Sequence, residues 1–160
     1  MIRPATPSDR DALTDLAIAT GLFEPQELGE LDGMLSEYFS GNLGSDHCWI
    51  VDEEDGLHSA AYYAPEMMAD RTWNLYFIGV QPSYQGKGLG ATLLRYVEQD
   101  LSSRNQRMLL VETSGLGTFE QTRAFYRKNQ YEEEARIRDF YTSGDDKIVF
   151  RKVLGESAKD

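Results

Sequence analysis

Apolar residues recur along this chain with two different periods, and the alternation between them predicts the elements. "MIRPAT" reads as a short strand. Ser8, with Asp11 three residues on, resembles an N-cap, and Ala12, Leu13, Leu16, Ala17 and Ala19 then form one helical stripe that Gly21 stops. Leu28, Leu31, Leu35, Tyr38 and Phe39 give a second stripe opening near Pro25 and closing at "GNLG". "HCWIVD" and "LHSAAYYA" flank "EEDG" as a hairpin, and "TWNLYFIGV" is a third strand-like run ending before Pro82. Leu89, Leu93, Leu94, Val97 and Leu101 mark a helix of about four turns. "RMLLVET" is apolar enough for a strand covered on both faces. Thr118 with Gln121 resembles a capping box opening "FEQTRAFYRK". "ARIRDFY" and "KIVFRKV" form a last hairpin across "TSGDD".

The order β-α-α-β-β-β-α-β-α-β-β predicts an α/β (α+β) fold with a mixed sheet. The chain has no internal repeat and no dividing linker, so residues 1–154 are expected to be one domain, followed by a polar tail at 155–160. A length of 160 residues, 41% of them hydrophobic, suits a packed core rather than a disordered chain. The formal charge of −11 argues against general affinity for nucleic acid or an anionic membrane, and no apolar run reaches membrane-spanning length. The single cysteine, Cys48, cannot form an internal disulfide and reads as a small buried side chain in a reducing compartment. His47 and His58 lack metal-ligand spacing, so no metal is expected. No secretory pattern follows Met1, which leaves the cytoplasm as the expected location.

The densest candidate chemistry is "QPSYQGKGLGATLL", where Gly86, Gly88 and Gly90 precede a helix. Glycine in a helix costs roughly 0.5–1 kcal/mol against alanine, so three together imply an awkward turn or a close approach to the backbone. A strand, a glycine turn and a helix N-terminus together make an anion site, with amides at Gly86, Lys87, Gly88, Leu89 and Gly90 and the mobile charge of Lys87. The nucleoside-triphosphate loop G-x-x-x-x-G-K-[ST] does not fit, because Lys87 is followed by Gly88. The dinucleotide fingerprint G-x-G-x-x-A is met by Gly86, Gly88 and Ala91. Even so, "QPSYQ" separates the strand from the first glycine, and no regular βαβαβ series surrounds it.

"IGVQPSYQGKGLGATLL" resembles the acetyl-coenzyme A signature of the GNAT superfamily of N-acetyltransferases, [QR]-x-x-G-x-[GA], filled here by Gln85, Gly88 and Gly90. "TRAFYRKNQY" is similar to the family helix A-x-x-F-Y-x-K-x-G-F, with Phe125, Tyr126, Lys128 and Tyr131 in place. The resemblance implies a mostly antiparallel sheet of about seven strands flanked by about four helices. It implies acetyl-coenzyme A as cosubstrate, its pyrophosphate on the amides from Gln85 through Gly86, Lys87, Gly88, Leu89 and Gly90 to Ala91. It further implies that the strand ending "FIGV" splays from "RMLLVET", leaving the backbone of Ile78, Gly79 and Val80 to pair with the pantetheine arm. Tyr126 would be the general acid at the thioester sulfur. Two positions depart from the family: the usual Gly-Phe after the helix is Gln130-Tyr131, and the carboxylate that some members place before the motif aligns near Asn74.

The implied reaction is acetyl transfer to a primary amine of a small molecule, peptide or protein, with a non-catalytic acyl-coenzyme A sensor as the alternative. Glu112, at the end of "RMLLVET", is the first candidate for the base, and a pairing role with Arg123 or Lys87 is the alternative for it. Asp139 is a lesser candidate. Arg123, Arg127 and Lys128 would either meet coenzyme A phosphates or balance the glutamates at 132–134. Dimerisation is common in families like this one, so a second copy is among the expected partners.

Overall fold

The computed structural model describes residues 1–155; the expected tail lies, beyond Gly155, outside the described residues. Seven strands, β1 (Ile2–Pro4), β2 (Cys48–Glu53), β3 (Leu57–Pro65), β4 (Thr72–Val80), β5 (Met108–Ser114), β6 (Glu132–Thr142) and β7 (Asp145–Val153), form one sheet ordered β1-β2-β3-β4-β5-β7-β6. The sheet is mostly antiparallel and open. Among the described residues four helices accompany it: α1 (Arg10–Ala19), α2 (Leu28–Phe39), α3 (Leu89–Ser103) and α4 (Glu120–Lys128). The chain divides into two compact units, the first made of Met1–Ala64 with Phe77–Val97, the second of Pro65–Tyr76 with the described residues from Glu98 onward.

In the first unit β2 pairs antiparallel with both β1 and β3, with Trp49 opposite Tyr62 and Val51 opposite Ala60. The α1 stripe buries Leu13, Leu16 and Ala17, and the α2 stripe buries Leu31 and Leu35, in a core shared with Trp49, Tyr62 and Phe77. The start of α1 differs from the sequence expectation. Thr6, not Ser8, precedes a 3-10 turn at Pro7–Asp9, and Asp9 accepts hydrogen bonds from the Thr6 N–H at 2.7 Å and from its hydroxyl at 3.2 Å. Arg3 then grips both Asp9 oxygens at 2.8 and 3.0 Å, a bidentate bond that holds this carboxylate at the turn. Gly21, at φ +75°, ends the helix as expected.

In the second unit β4 and β5 are parallel, with Thr72 to Leu75 in register with Met108 to Val111. β5 pairs antiparallel with β7 along its whole length, and β6 runs antiparallel to β7 as the edge strand. β6 begins at Glu132, three residues before the expected "ARIRDFY", because Glu132 and Glu133 already pair with Arg151 and Phe150. Thr118 does not cap α4. It lies inside a 3-10 turn at Gly117–Phe119, and Arg123 does the fastening described below.

Candidate active site

The glycine turn lies wholly in the first unit. After β4 a 3-10 turn at Pro82–Tyr84 is closed by Tyr84 N–H on Gln81 O at 2.8 Å and Gln85 N–H on Pro82 O at 3.3 Å. The Gln85 side chain folds back and donates to Val80 O at 3.1 Å, clasping the end of the strand. Gly86 and Gly88 both sit at left-handed φ, +80° and +82°, and a Cβ built on either would meet nothing within 4 Å. Of the two reasons weighed for these glycines, the backbone turn is the one present within the protein itself, and it leaves open space over the loop. Leu89, Gly90 and Ala91 form the first turn of α3, and the series of helical amides is taken up by Thr92, which donates to Gly88 O at 3.0 Å. Upstream, Gly79 is glycine for a different reason, since a Cβ there would lie 2.9 Å from Phe77 Cζ and 3.1 Å from Thr20 Cγ2. Ile78 and Val80 on either side are half-buried.

Glu112 and Tyr126 lie in the second unit. Glu112 is paired, though with neither Arg123 nor Lys87: its Oε1 stands 3.0 Å from Lys147 Nζ. Its Oε2 accepts from Asn74 Nδ2 at 3.2 Å, and the same amide nitrogen donates to Glu66 Oε2 at 2.8 Å. Asn74 is only 2% exposed, so its amide is a fixed donor between two carboxylates. Lys147 also stands over the Phe140 ring at 4.2 Å. Burial, with the nearby charges of Glu66 and Glu112, pushes the Tyr76 phenol above its ordinary range. Sequence reasoning missed Glu66 and Lys147 because neither has a motif or periodicity to mark it. Glu66 follows the last residue of β3, and Lys147 is brought near by the β5–β7 register, Ser114 opposite Lys147. Asp139, the lesser candidate, is committed to the β6–β7 turn, where its side chain accepts from Gly144 N–H at 2.8 Å and its own N–H donates to Asp146 at 2.9 Å.

Tyr126 is 3% exposed and packs among aromatic rings: Phe125 at 5.2 Å, Phe150 at 5.6 Å and Tyr131 at 5.8 Å. Burial drives its phenol well above the ordinary tyrosine range, so it stays protonated at neutral pH. The C-terminus of α4 fixes where it sits. Gln130 adopts φ +73°, its N–H reaches Arg127 O at 3.1 Å, and Tyr131 N–H reaches Tyr126 O at 3.0 Å. That pair of bonds is a Schellman motif, and the Tyr126–Tyr131 ring contact is the apolar closure that accompanies it. At the other end of α4 the buried Arg123 donates to Ser114 O at 2.7 Å, Leu116 O at 2.9 Å and Glu120 Oε1 at 2.9 Å. Arg127 pairs with Glu120 and Glu133 at 3.3 and 3.4 Å. Of the basic cluster, these two arginines therefore serve the turn and the glutamates. Among the described residues no group of three His, Cys, Asp or Glu could hold a metal ion, and no helix is long and apolar enough to cross a membrane.

Residues 44–133 match the acetyltransferase (GNAT) domain family. A GNAT-family chain from Desulfovibrio desulfuricans is 31% identical, with a TM-score of 0.89 over 96% of this chain and 98% of that one. The ribosomal-protein-S18-alanine N-acetyltransferase of Escherichia coli shares the fold at 20% identity, with a TM-score of 0.76 over 96% and 93% of the two chains. An aminoglycoside 6′-N-acetyltransferase complexed with coenzyme A does so at 17% identity, with a TM-score of 0.76 over 96% of each. No curated protein matches the sequence. The chain belongs to the GNAT acetyltransferase family.

Proposed function

We propose that this chain transfers an acetyl group from acetyl-coenzyme A to a primary amine by direct attack. The observation that carries the reading is the loop of left-handed Gly86 and Gly88, with open space above them, leading into the first turn of α3. Amides from Gln85 to Ala91 would hold the diphosphate, each charged hydrogen bond contributing on the order of 1.5–3 kcal/mol, and Lys87 adds a cation. The backbone of Ile78, Gly79 and Val80 would pair with the pantetheine arm; in support, the parallel register with β5 covers only Thr72 to Leu75, while β4 runs on to Val80. Bound acetyl-coenzyme A would supply the acetyl thioester.

An amine of pKa about 10.4 costs roughly 4.6 kcal/mol to deprotonate at pH 7. Glu112 takes that proton, directly or through water, its two oxygens oriented by Asn74 and Lys147. The amine nitrogen would then bond the acetyl carbon while a backbone N–H near Val80 met the oxyanion; as the C–S bond broke, Tyr126 would give its proton to the sulfur and the second proton shed by the nitrogen would restore the phenol. The acceptors named for two structural neighbours, a ribosomal-protein alanine and an aminoglycoside nitrogen, support an amine as the class.

The ion pair between Lys147 and Glu112 favours a second reading, an acyl-coenzyme A-binding module without turnover. Thermal unfolding beside coenzyme A and NAD, followed by thiol release across a panel of primary amines, tests both. Coenzyme A should raise the melting temperature, NAD should leave it unchanged, and thiol should appear with at least one amine. Stabilisation by NAD alone would overturn both readings, and coenzyme A binding without thiol release would leave the binding module.

A further inference from the structure

The glycine loop does not hang free of the sheet. Tyr84, half-buried at the end of the 3-10 turn, lies with its ring stacked on His58, centroids 4.2 Å apart and planes 25° from parallel. His58 belongs to β3, is 9% exposed, and is pinned twice: its Nε2 lies 2.6 Å from Glu54 O, and its own carbonyl accepts Gln81 N–H at 2.8 Å. Three residues past Tyr84, the Lys87 ammonium stands over the same ring, 5.2 Å from the centroid. A strand residue is thus connected through one aromatic ring to the cation of the loop. All of these groups belong to the first unit.

We infer that Tyr84 is a positioning residue for Lys87 in coenzyme A binding, an inference that rests on the diphosphate reading of the loop. Lysine carries four rotatable bonds, and an exposed ammonium loses much of that freedom when it meets a phosphate. Resting on the ring face narrows its range beforehand and leaves the N–H bonds on the far side of the nitrogen able to donate. His58 keeps the ring from turning, which makes the support rigid rather than merely adjacent. The ring face alone supports the ammonium, and the Tyr84 hydroxyl takes no part in it.

Calorimetric titration of the full chain with coenzyme A tests this, using Tyr84→Phe, Tyr84→Leu, Lys87→Met and the double variant Tyr84→Leu/Lys87→Met. Tyr84→Phe should bind within about twofold of the unaltered protein, and Tyr84→Leu about fivefold more weakly. Lys87→Met should bind about tenfold more weakly, and the double variant no worse than Lys87→Met alone, because the ring acts only through the lysine. The dependence of affinity on salt should flatten in Lys87→Met and change no further in the double variant. Unaltered affinity in Tyr84→Leu, or a double variant whose loss is the product of the two single losses, overturns the inference while leaving the diphosphate reading intact. Absence of coenzyme A binding by the unaltered protein overturns that reading, and the inference falls with it. Tyr84→Phe keeps the test sound should the leucine variant disturb the turn.

Discussion

Glu112 can accept a proton only through lone pairs that Asn74 and Lys147 leave unused, and each of its oxygens takes one of those two donors. Glu112→Gln keeps the shape but removes the proton acceptor, so thiol release with a primary amine should fall about 100-fold at pH 7. The deficit should narrow as the pH approaches the amine's own pKa; a deficit that ignores pH would make the role structural. Tyr126→Phe should lower kcat about 100-fold and leave coenzyme A affinity unchanged, since the ring keeps its neighbours and only the proton donor goes. Equal turnover in the two proteins would remove the acid role. At this scale the sequence was uneven. The glycines and Tyr126 stood inside motifs, whereas Glu66 and Lys147 reach the Asn74–Glu112 pair only through the β3–β4 connection and the β5–β7 register. Such contacts arise between segments far apart in the chain and leave no periodic trace.

Helix and strand bodies were readable because their apolar spacing is what burial requires: Leu93, Leu94, Val97 and Leu101 of α3 are all fully buried. Their ends were less readable. At α1, Thr6 and Ser8 are chemically equivalent caps, and the choice was made by Arg3 holding Asp9 from a neighbouring strand. At α4, Thr118 gave way to a 3-10 turn tied by Arg123. Gln130 was legible as standing where the family's glycine does, and φ there is the left-handed +73° that glycine most easily adopts. Gln130→Gly should relieve roughly 1–2 kcal/mol of left-handed strain and return part of it as unfolded-chain entropy, a net gain of about 1 kcal/mol at most. In a chain of this size that is a rise of about 2–4 °C in the melting temperature. An unchanged or lower value would mean that the glutamine side chain supports the turn in a way its backbone angle does not reveal.

For the molecule as a whole, the two phenols at the end of α4 link stability to alkali. Burial raises the pKa of both Tyr126 and Tyr131, and the charge of Glu98, which accepts the Tyr131 hydroxyl at 2.6 Å, raises Tyr131 further. An unfolded tyrosine ionises near pH ~10, so above that value the folded chain retains protons that the unfolded chain has released. Stability is therefore undiminished by these groups below about pH 10 and falls as the pH rises beyond it. Urea midpoints from pH 8 to 11 should show the decline, and it should be shallower in Tyr126→Phe; identical slopes would place the alkaline sensitivity elsewhere. Arg123 responds differently to the same conditions. A guanidinium keeps its charge throughout that range, so the knot it ties across Ser114, Leu116 and Glu120 loses nothing over the pH range in which the phenols come to favour the unfolded chain. Base should loosen α4 from its far end first, the helix peeling back toward a bend that alkali leaves fastened.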